Sequence, residues 1–353
     1  MAGIAAPFVK EKPRDKARGS CGQRLPHPFG QAPVVDHYRG GPLAGATLRL
    51  VDPLLVISNS GAGTAAEEAL EPGLEILRSR ASVEVAQTSN PGELDGVLHR
   101  AGSRRIVVAG GDGSLHAVVA ALHRRNELKD AVIGLLPMGT GNDFARAMEI
   151  PLDIEEAARI ILEGEVRRVD LLVDETGSIV VNNVHVGAGA QASRRGARWK
   201  TRLGSIGFGK VNLGKLGYPI GAIEAAFLPP SLHLRVEVDG EVVNDLDRPV
   251  LMVAIGNGTS VGGGAELTPD ADPEDGRMDI MISRSIKPLA KIAYALQVAR
   301  ATHQDRDDVL TVRGMTVSIS GQEFYCAADG EITGPERQRT WRIEPAAYSM
   351  TLP

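Results

Sequence analysis

The chain has 353 residues, 43% of them hydrophobic, and a formal net charge of −5. That length exceeds the usual single domain and that apolar content fills sizeable cores, which excludes a wholly disordered chain. The acidic balance argues against a dedicated nucleic-acid binder, and no apolar run approaches the roughly 20 residues of a spanning helix. Two cysteines, Cys21 and Cys326, fit neither a metal spacing nor a disulfide framework, so a reducing cytosol is the expected compartment. The first residues lack the charged-then-apolar pattern of a leader, so any membrane contact is expected to be peripheral.

Residues 1–48 are rich in Pro and Gly, carry more Lys and Arg than acids, and read as a disordered tail. From residue 54 the pattern becomes strand, turn, helix. Strands are predicted over 54–58, 83–87, 105–109 and 132–136, and helices over 64–78, 94–101 and 114–125, the first helix interrupted at Pro72-Gly73. Such alternation predicts a parallel sheet with ligands at the carboxyl ends of its strands. Beyond residue 162 strands follow one another over 166–174, 179–186, 232–238, 250–255, 278–283, 310–318 and 323–328, with one convincing helix over 288–300. The fold class is therefore an α/β N-terminal domain with a parallel sheet, over 49–163, followed by an antiparallel β-rich C-terminal domain over 164–353. Whether the extreme C-terminus returns to the first domain is left open.

Two glycine-rich turns carry most of the functional signal: Gly110-Gly111-Asp112-Gly113-Ser114, and Pro137-Met138-Gly139-Thr140-Gly141-Asn142-Asp143-Phe144-Ala145-Arg146. Each follows an aliphatic strand and opens a helix. Glycines there let backbone N–H groups approach an anion, and the helix N-terminus adds a favourable dipole. Asp112 and Asp143 place carboxylates beside this phosphate cradle. A single Asp-Gly is most simply a turn carboxylate; two on adjacent strand-to-helix turns favour function.

These two turns resemble the signatures of the diacylglycerol kinase-like lipid kinases, the family that includes bacterial diacylglycerol kinases and sphingosine kinases. NAD kinases share the first turn; the second is closer to the lipid kinases. The resemblance implies that Asn59, Gly61, Gly63 and Thr88 contact the nucleotide together with Gly111, Asp112, Gly113, Ser114, His116, Gly139 and Thr140. It implies that Asp143 belongs to the Mg²⁺-linked network, and that Glu331, oriented with Asp329, is the base. It further implies a second Mg²⁺ loop at Asp272, Asp275 and Arg277, with the carbonyls of Asp272 and Arg277 as ligands, and an active-site acid at Asp170. The chain departs from the family at Ser114, His116 and Ala117, where Thr and Asn-Glu are usual.

Competing motifs lie nearby. Gly61-Ala62-Gly63-Thr64-Ala65-Ala66 matches a dinucleotide-binding turn, but the next strand ends Gln87-Thr88 and Glu84 comes too early to hold a ribose. Gly204 to Lys210 and Gly209 to Lys215 have P-loop spacing, yet Val211 and Leu216 stand where Ser or Thr would bind Mg²⁺. Asp329-Gly330-Glu331 also fits a plain hairpin, and a second copy occurs at Asp239-Gly240-Glu241.

The resemblance implies an ATP-dependent lipid kinase using Mg²⁺, with diacylglycerol the favoured acceptor. A NAD kinase, or a pseudokinase on account of Ala117, is the alternative. Expected partners are a lipid substrate at an anionic membrane surface and no nucleic acid, with room for a homodimer. The basic and aromatic block over 194–227 is the expected membrane-contact segment, with an ATP-phosphate flap as the competing use.

Overall fold

The computed structural model describes residues 52–60, 64–187 and 231–353. The tail over 1–48, Gly61, Gly63, both P-loop-like spacings and the basic block over 194–227 lie outside the described residues.

Strands β1 (Leu54–Asn59), β2 (Val83–Thr88), β3 (Arg105–Gly110) and β4 (Val132–Pro137) form a parallel sheet in the order β4-β3-β1-β2. Leu54, Leu55, Val56 and Ile57 are all buried, so β1 is covered on both faces, as its unbroken aliphatic run requires. β2 has no fully buried residue and exposes Glu84, Val85 and Gln87, which suits an edge strand. Helices α1 (Thr64–Arg78), α2 (Pro91–His99), α3 (Asp112–Arg124), α4 (Asp143–Ala147) and α5 (Ile154–Glu163) connect and cover these strands.

Two expectations change here. Helix α1 runs unbroken through Pro72-Gly73. Pro72 is exposed, so water can solvate the carbonyl it frees, while Gly73 faces α5, where a Cβ would stand 3.1 Å from Ile154 Cγ1. Helix α5 is absent from the predicted elements, although Ile154, Ala157, Ala158, Ile161 and Leu162 recur at helical spacing and Ala157, Ala158 and Ile161 are buried. Its start was nevertheless written in the sequence: the Asp153 carboxylate accepts from the N–H groups of Glu155 and Glu156, both at 3.0 Å.

The remaining strands are β5 (Glu165–Asp174), β6 (Ile179–Val180), β7 (Asn183–Gly187), β8 (Leu234–Val238), β9 (Glu241–Asn244), β10 (Met252–Gly256), β11 (Ser260–Val261), β12 (Ala265–Glu266), β13 (Met278–Ser283), β14 (Val309–Gly314), β15 (Thr316–Ala328) and β16 (Glu331–Leu352). Helix α6 (Pro288–Val298) lies between β13 and β14. The main path of the sheet runs β14-β13-β10-β7-β15-β16-β4-β3-β1-β2, antiparallel as far as β16 and parallel beyond it.

Carboxylates from distant turns break two strands read as continuous. The stretch 179–186 divides because Asp329 binds the N–H groups of Val181, Asn182 and Asn183. The stretch 310–318 divides at Met315 because Asp239 takes the N–H groups of Met315 and Thr316. The expected 323–328 strand is the second half of β15.

β16, at 22 residues, is the seam. It pairs with β15 from Glu331 to Arg342, with β5 from Trp341 to Leu352, and with β4 through Ser349 and Met350. Its Tyr348 and Met350 join the core with Leu54, Leu115 and Ile161, while Trp341 and Ile343 join the core with Phe324, Val253 and Ile280.

Helix α5 is seated by a close approach to β4: a Cβ at Gly134 would lie 2.8 Å from Ile161 Cγ1. Gly134→Ala should therefore destabilise the fold by about 1–3 kcal/mol through overpacking. Ile161→Ala should cost about 2–5 kcal/mol by leaving a cavity. The double variant should cost clearly less than the sum, as seen in chemical denaturation; additive losses would place Ile161 elsewhere.

Candidate active site

The two glycine turns meet at the carboxyl ends of β3 and β4. A Cβ at Gly111 would lie 2.8 Å from Gly139 Cα, so the turns touch backbone to backbone and tolerate no side chain between them. Met138 N–H donates to Gly110 O at 3.0 Å, extending the parallel pairing into the turns. Gly113 faces open space, with no atom within 4 Å of the position its Cβ would take. Helix α3 has no side-chain cap, which leaves its first N–H groups for a ligand. A cavity of about 210 Å³ opens beside them, lined by Asn59, Glu67, Gln87, Gly110, Gly111 and Ser114. Asn59 and Thr88 are register partners at the ends of β1 and β2, on the same rim. Thr140 is exposed on the second turn.

The two turn aspartates face inward to backbone donors. Asp112 accepts from Phe144 N–H at 2.9 Å and Asp143 N–H at 3.1 Å, so the first turn caps the helix opened by the second. Asp143 in turn accepts from Gly263 N–H at 3.0 Å and Gly264 N–H at 2.7 Å. Asn142, in the left-handed region at φ 53°, closes the turn by exchanging hydrogen bonds with the Gly139 backbone, both at 2.9 Å. Each side chain thus fixes the next piece of backbone. Gly263 and Gly264 were missed in the sequence; the signal was the triplet Gly262-Gly263-Gly264 between β11 and β12.

Asp329 is tied to the same place from the other side. Its Oδ2 accepts from His116 at 2.8 Å and from Val181 N–H at 2.7 Å; its Oδ1 accepts from Asn182 N–H at 2.9 Å and Asn183 N–H at 3.2 Å. With four donors around it, this carboxylate is an anchor. Glu331, two residues on, is exposed and lies close enough to His116 to raise its proton affinity. Burial pulls the His116 pKa down, but the hydrogen bond and charge of Asp329, helped by Glu331, outweigh it and leave it above 6.5. The two Asp-Gly-Glu copies have the same turn geometry: φ is 45° and 88° at Asp329-Gly330, and 50° and 85° at Asp239-Gly240. What separates them is their surroundings.

The acidic loop 272–279 is held by Asp170, whose carboxylate accepts from Gly276 N–H at 2.6 Å and Ala346 N–H at 2.7 Å. Asp272 accepts from Glu274 N–H and Asp275 from Arg277 N–H, both at 3.0 Å, and Asp275 also pairs with Arg313. Burial raises Asp170 despite its two backbone donors, and Asp275 and Asp272 raise it further. Burial pushes Asp279 up to about 6 even with Arg313 alongside at 3.1 Å. This crowding of carboxylates favours a cation. Among the described residues no three acidic, His or Cys side chains converge as a ready metal site. An ion here would be held by one or two carboxylates with backbone carbonyls and water, which suits Mg²⁺. No hydrogen bond joins this loop directly to the glycine turns among the described residues. Fully buried Tyr348 lies within reach of both Asp329 and Asp170; burial, then those two carboxylates, keep its hydroxyl protonated far above the ordinary range.

Comparison with known proteins places these features in context. The diacylglycerol kinase catalytic domain profile matches residues 53–173, and the YegS C-terminal NAD kinase beta sandwich-like domain profile matches 182–352. The chain is 31% identical over 235 residues to a diacylglycerol kinase of Staphylococcus aureus strain JH9, covering 65% of this chain and 68% of that protein. It is 27% identical over 282 residues to a YegS-like lipid kinase of Enterobacter sp. strain 638, covering 77% and 89%. The fold is shared with the crystal structure of a diacylglycerol kinase from Bacillus anthracis strain Sterne, with a TM-score of 0.64 at 22% identity over 86% of this chain and 97% of that one.

Two outcomes follow from this geometry. A His whose folded pKa is raised stabilises fully below its unfolded pKa and loses that contribution as pH rises through the folded value. The thermal midpoint gap between the native chain and His116→Asn should therefore be largest near about pH 6 and shrink toward about pH 8; a constant gap would show that the Asp329 bond does not depend on the imidazolium. Asp112→Ala should lower stability by about 1–3 kcal/mol in chemical denaturation, because two partly buried N–H groups lose their acceptor.

Proposed function

The chain belongs to the diacylglycerol kinase-like lipid kinases, and on that premise we propose that it transfers the γ-phosphoryl group of ATP to the hydroxyl of a lipid, with diacylglycerol the favoured acceptor. One observation carries this reading. The His116–Asp329 bond at 2.8 Å ties the β15–β16 turn, two residues from Glu331, to the N-terminal half of α3. A carboxylate beside a phosphate cradle is the pairing that phosphoryl transfer to an alcohol requires.

The residues divide the work as follows. Backbone N–H groups at Gly111 and Gly113 and the Ser114 hydroxyl, with Gly139, Thr140, Asn59 and Thr88 on the rim, bind the triphosphate and take up the charge that gathers on its oxygens. The family resemblance adds Gly61 and Gly63, which lie outside the described residues, as nucleotide contacts. Asp112 and Asp143, occupied by backbone donors, position the second turn and the Gly263-Gly264 backbone and reach an ion through water. Asp329 holds the turn, and Glu331 accepts the proton of the lipid hydroxyl as its oxygen attacks. Mg²⁺, when bound, neutralises phosphate charge; Asp272, Asp275 and the Arg277 carbonyl, supported by Asp170, would hold a second ion that stiffens the acidic loop.

The test uses the internal control. Labelled ATP should yield labelled phosphatidic acid from diacylglycerol in detergent micelles, and no labelled product from NAD. Glu331→Gln should lower kcat by about 10²–10⁴-fold while nucleotide still binds. Glu241→Gln, in the twin turn at the β8–β9 hairpin, should leave kcat unchanged. Phosphorylation of NAD in place of lipid would overturn the reading, and equal loss in both variants would remove Glu331 from the chemistry.

A further inference from the structure

Helix α6 presents its apolar side to solvent. Tyr294 is the side chain of α6 that is buried, edge-on to His303 at 5.8 Å and packed with Leu251, Met252 and Met281. On the other side Leu289 is 81% exposed and Leu296 48%, and Ile286, just before the helix, is 37% exposed. Leu289, Ala293 and Leu296 follow at spacings of four and three, so they form one stripe, turned away from Tyr294. A surface helix ordinarily shows its polar face to water; this one shows leucine.

The charge around it is one-sided. From 284 to 304 there is no Asp or Glu, in a chain of net charge −5. Lys287 at the start of α6 and Arg300 beyond its end are both exposed and flank the apolar stripe. Leucines outward between cations is the composition of a helix that lies in a lipid headgroup layer; the nearest acids in sequence, Asp305 and Asp307, come after Arg300 in the segment that follows the helix.

Its place in the sheet fits that use. Ser283, from which the chain enters α6, is in register with Met252, and Met252 with Gly187. Leu232 bridges Val250 at the same end. Along those strands Ala328 aligns with Val184, Ile255 and Ile280, three residues short of Ser283. The turn that bears Asp329 and Glu331 begins one residue further from that end, so it is about 13 Å along the strands from the end that bears α6.

We propose that α6 is an interfacial anchor that seats the chain on an anionic phospholipid bilayer, with Leu289 and Leu296 entering the headgroup–acyl boundary and Lys287 and Arg300 meeting lipid phosphates. This names the partner surface of the lipid kinase proposed above and rests on that reading for its purpose. The vesicle measurement that tests it is independent of catalysis.

The experiment is co-sedimentation of the full chain with vesicles of equal phosphatidylglycerol and phosphatidylcholine, and with pure phosphatidylcholine. Binding should prefer the anionic vesicles and weaken as salt rises. Leu289→Ser combined with Leu296→Ser should weaken binding by about tenfold or more. Its thermal midpoint and its activity on a short-chain soluble diacylglycerol should stay as in the native chain. Lys287→Gln with Arg300→Gln should lose the preference for anionic lipid. Unchanged vesicle binding by the leucine variant would overturn the anchor. So would a halved solution mass in light scattering, which would assign the stripe to a second copy of the chain. A native chain that binds vesicles but phosphorylates no soluble diacylglycerol would instead sink the kinase reading and leave the anchor standing.

Discussion

A single buried carboxylate, that of Asp329, gathers chain segments that lie 146 to 213 residues away in sequence. It supplies acceptors to three successive N–H groups at Val181, Asn182 and Asn183 and to the imidazole of His116. Removing a carboxylate from water is costly unless its lone pairs are filled; here all are. The same group therefore breaks one strand, starts β7, holds the tip of the β15–β16 hairpin and fixes α3 against it. The arrangement of the glycine turns relative to Glu331 depends on that one anchor.

A similar logic runs through the rest of the site. Asp112 caps α4, Asp143 secures Gly263 and Gly264, Asn142 closes its own turn, and Asp170 fills the irregularity of β16 at Ala346. Each polar side chain is spent on backbone, so the geometry of the cleft is set before any ligand arrives. Such preorganisation is what a reaction governed by positioning and charge demands.

The local signals in the chain were reliable where the cause was local. Aliphatic runs before the glycine turns gave β3 and β4 within a residue, and β13 was read with its observed bounds over Met278–Ser283. Reading failed where the cause lay far away. Nothing near Val181 or Met315 announces a break, because the carboxylates that make those breaks come from Asp329 and Asp239. The two Asp-Gly-Glu turns are alike in backbone, so only tertiary surroundings tell them apart. Two misses had signals that went unused: Asp153 with Glu156 marks the start of α5, and the alternation Thr340-Trp341-Arg342-Ile343-Glu344 marks the buried face of β16. Of the site itself, the turns and their aspartates were legible, whereas the direction in which those aspartates face was not.

The position of β16 has a consequence for biosynthesis. β4 and β5 emerge from the ribosome well before residues 331–352, yet both find a neighbour in β16. Until that strand is translated, β4 carries an open, aliphatic edge able to pair with another nascent chain. The α/β half is thus a partial fold during translation, vulnerable to aggregation for as long as the ribosome takes to traverse the β-rich half. A chain arranged this way gains from slow release or chaperone cover late in synthesis, and a premature stop within β16 forfeits both halves at once.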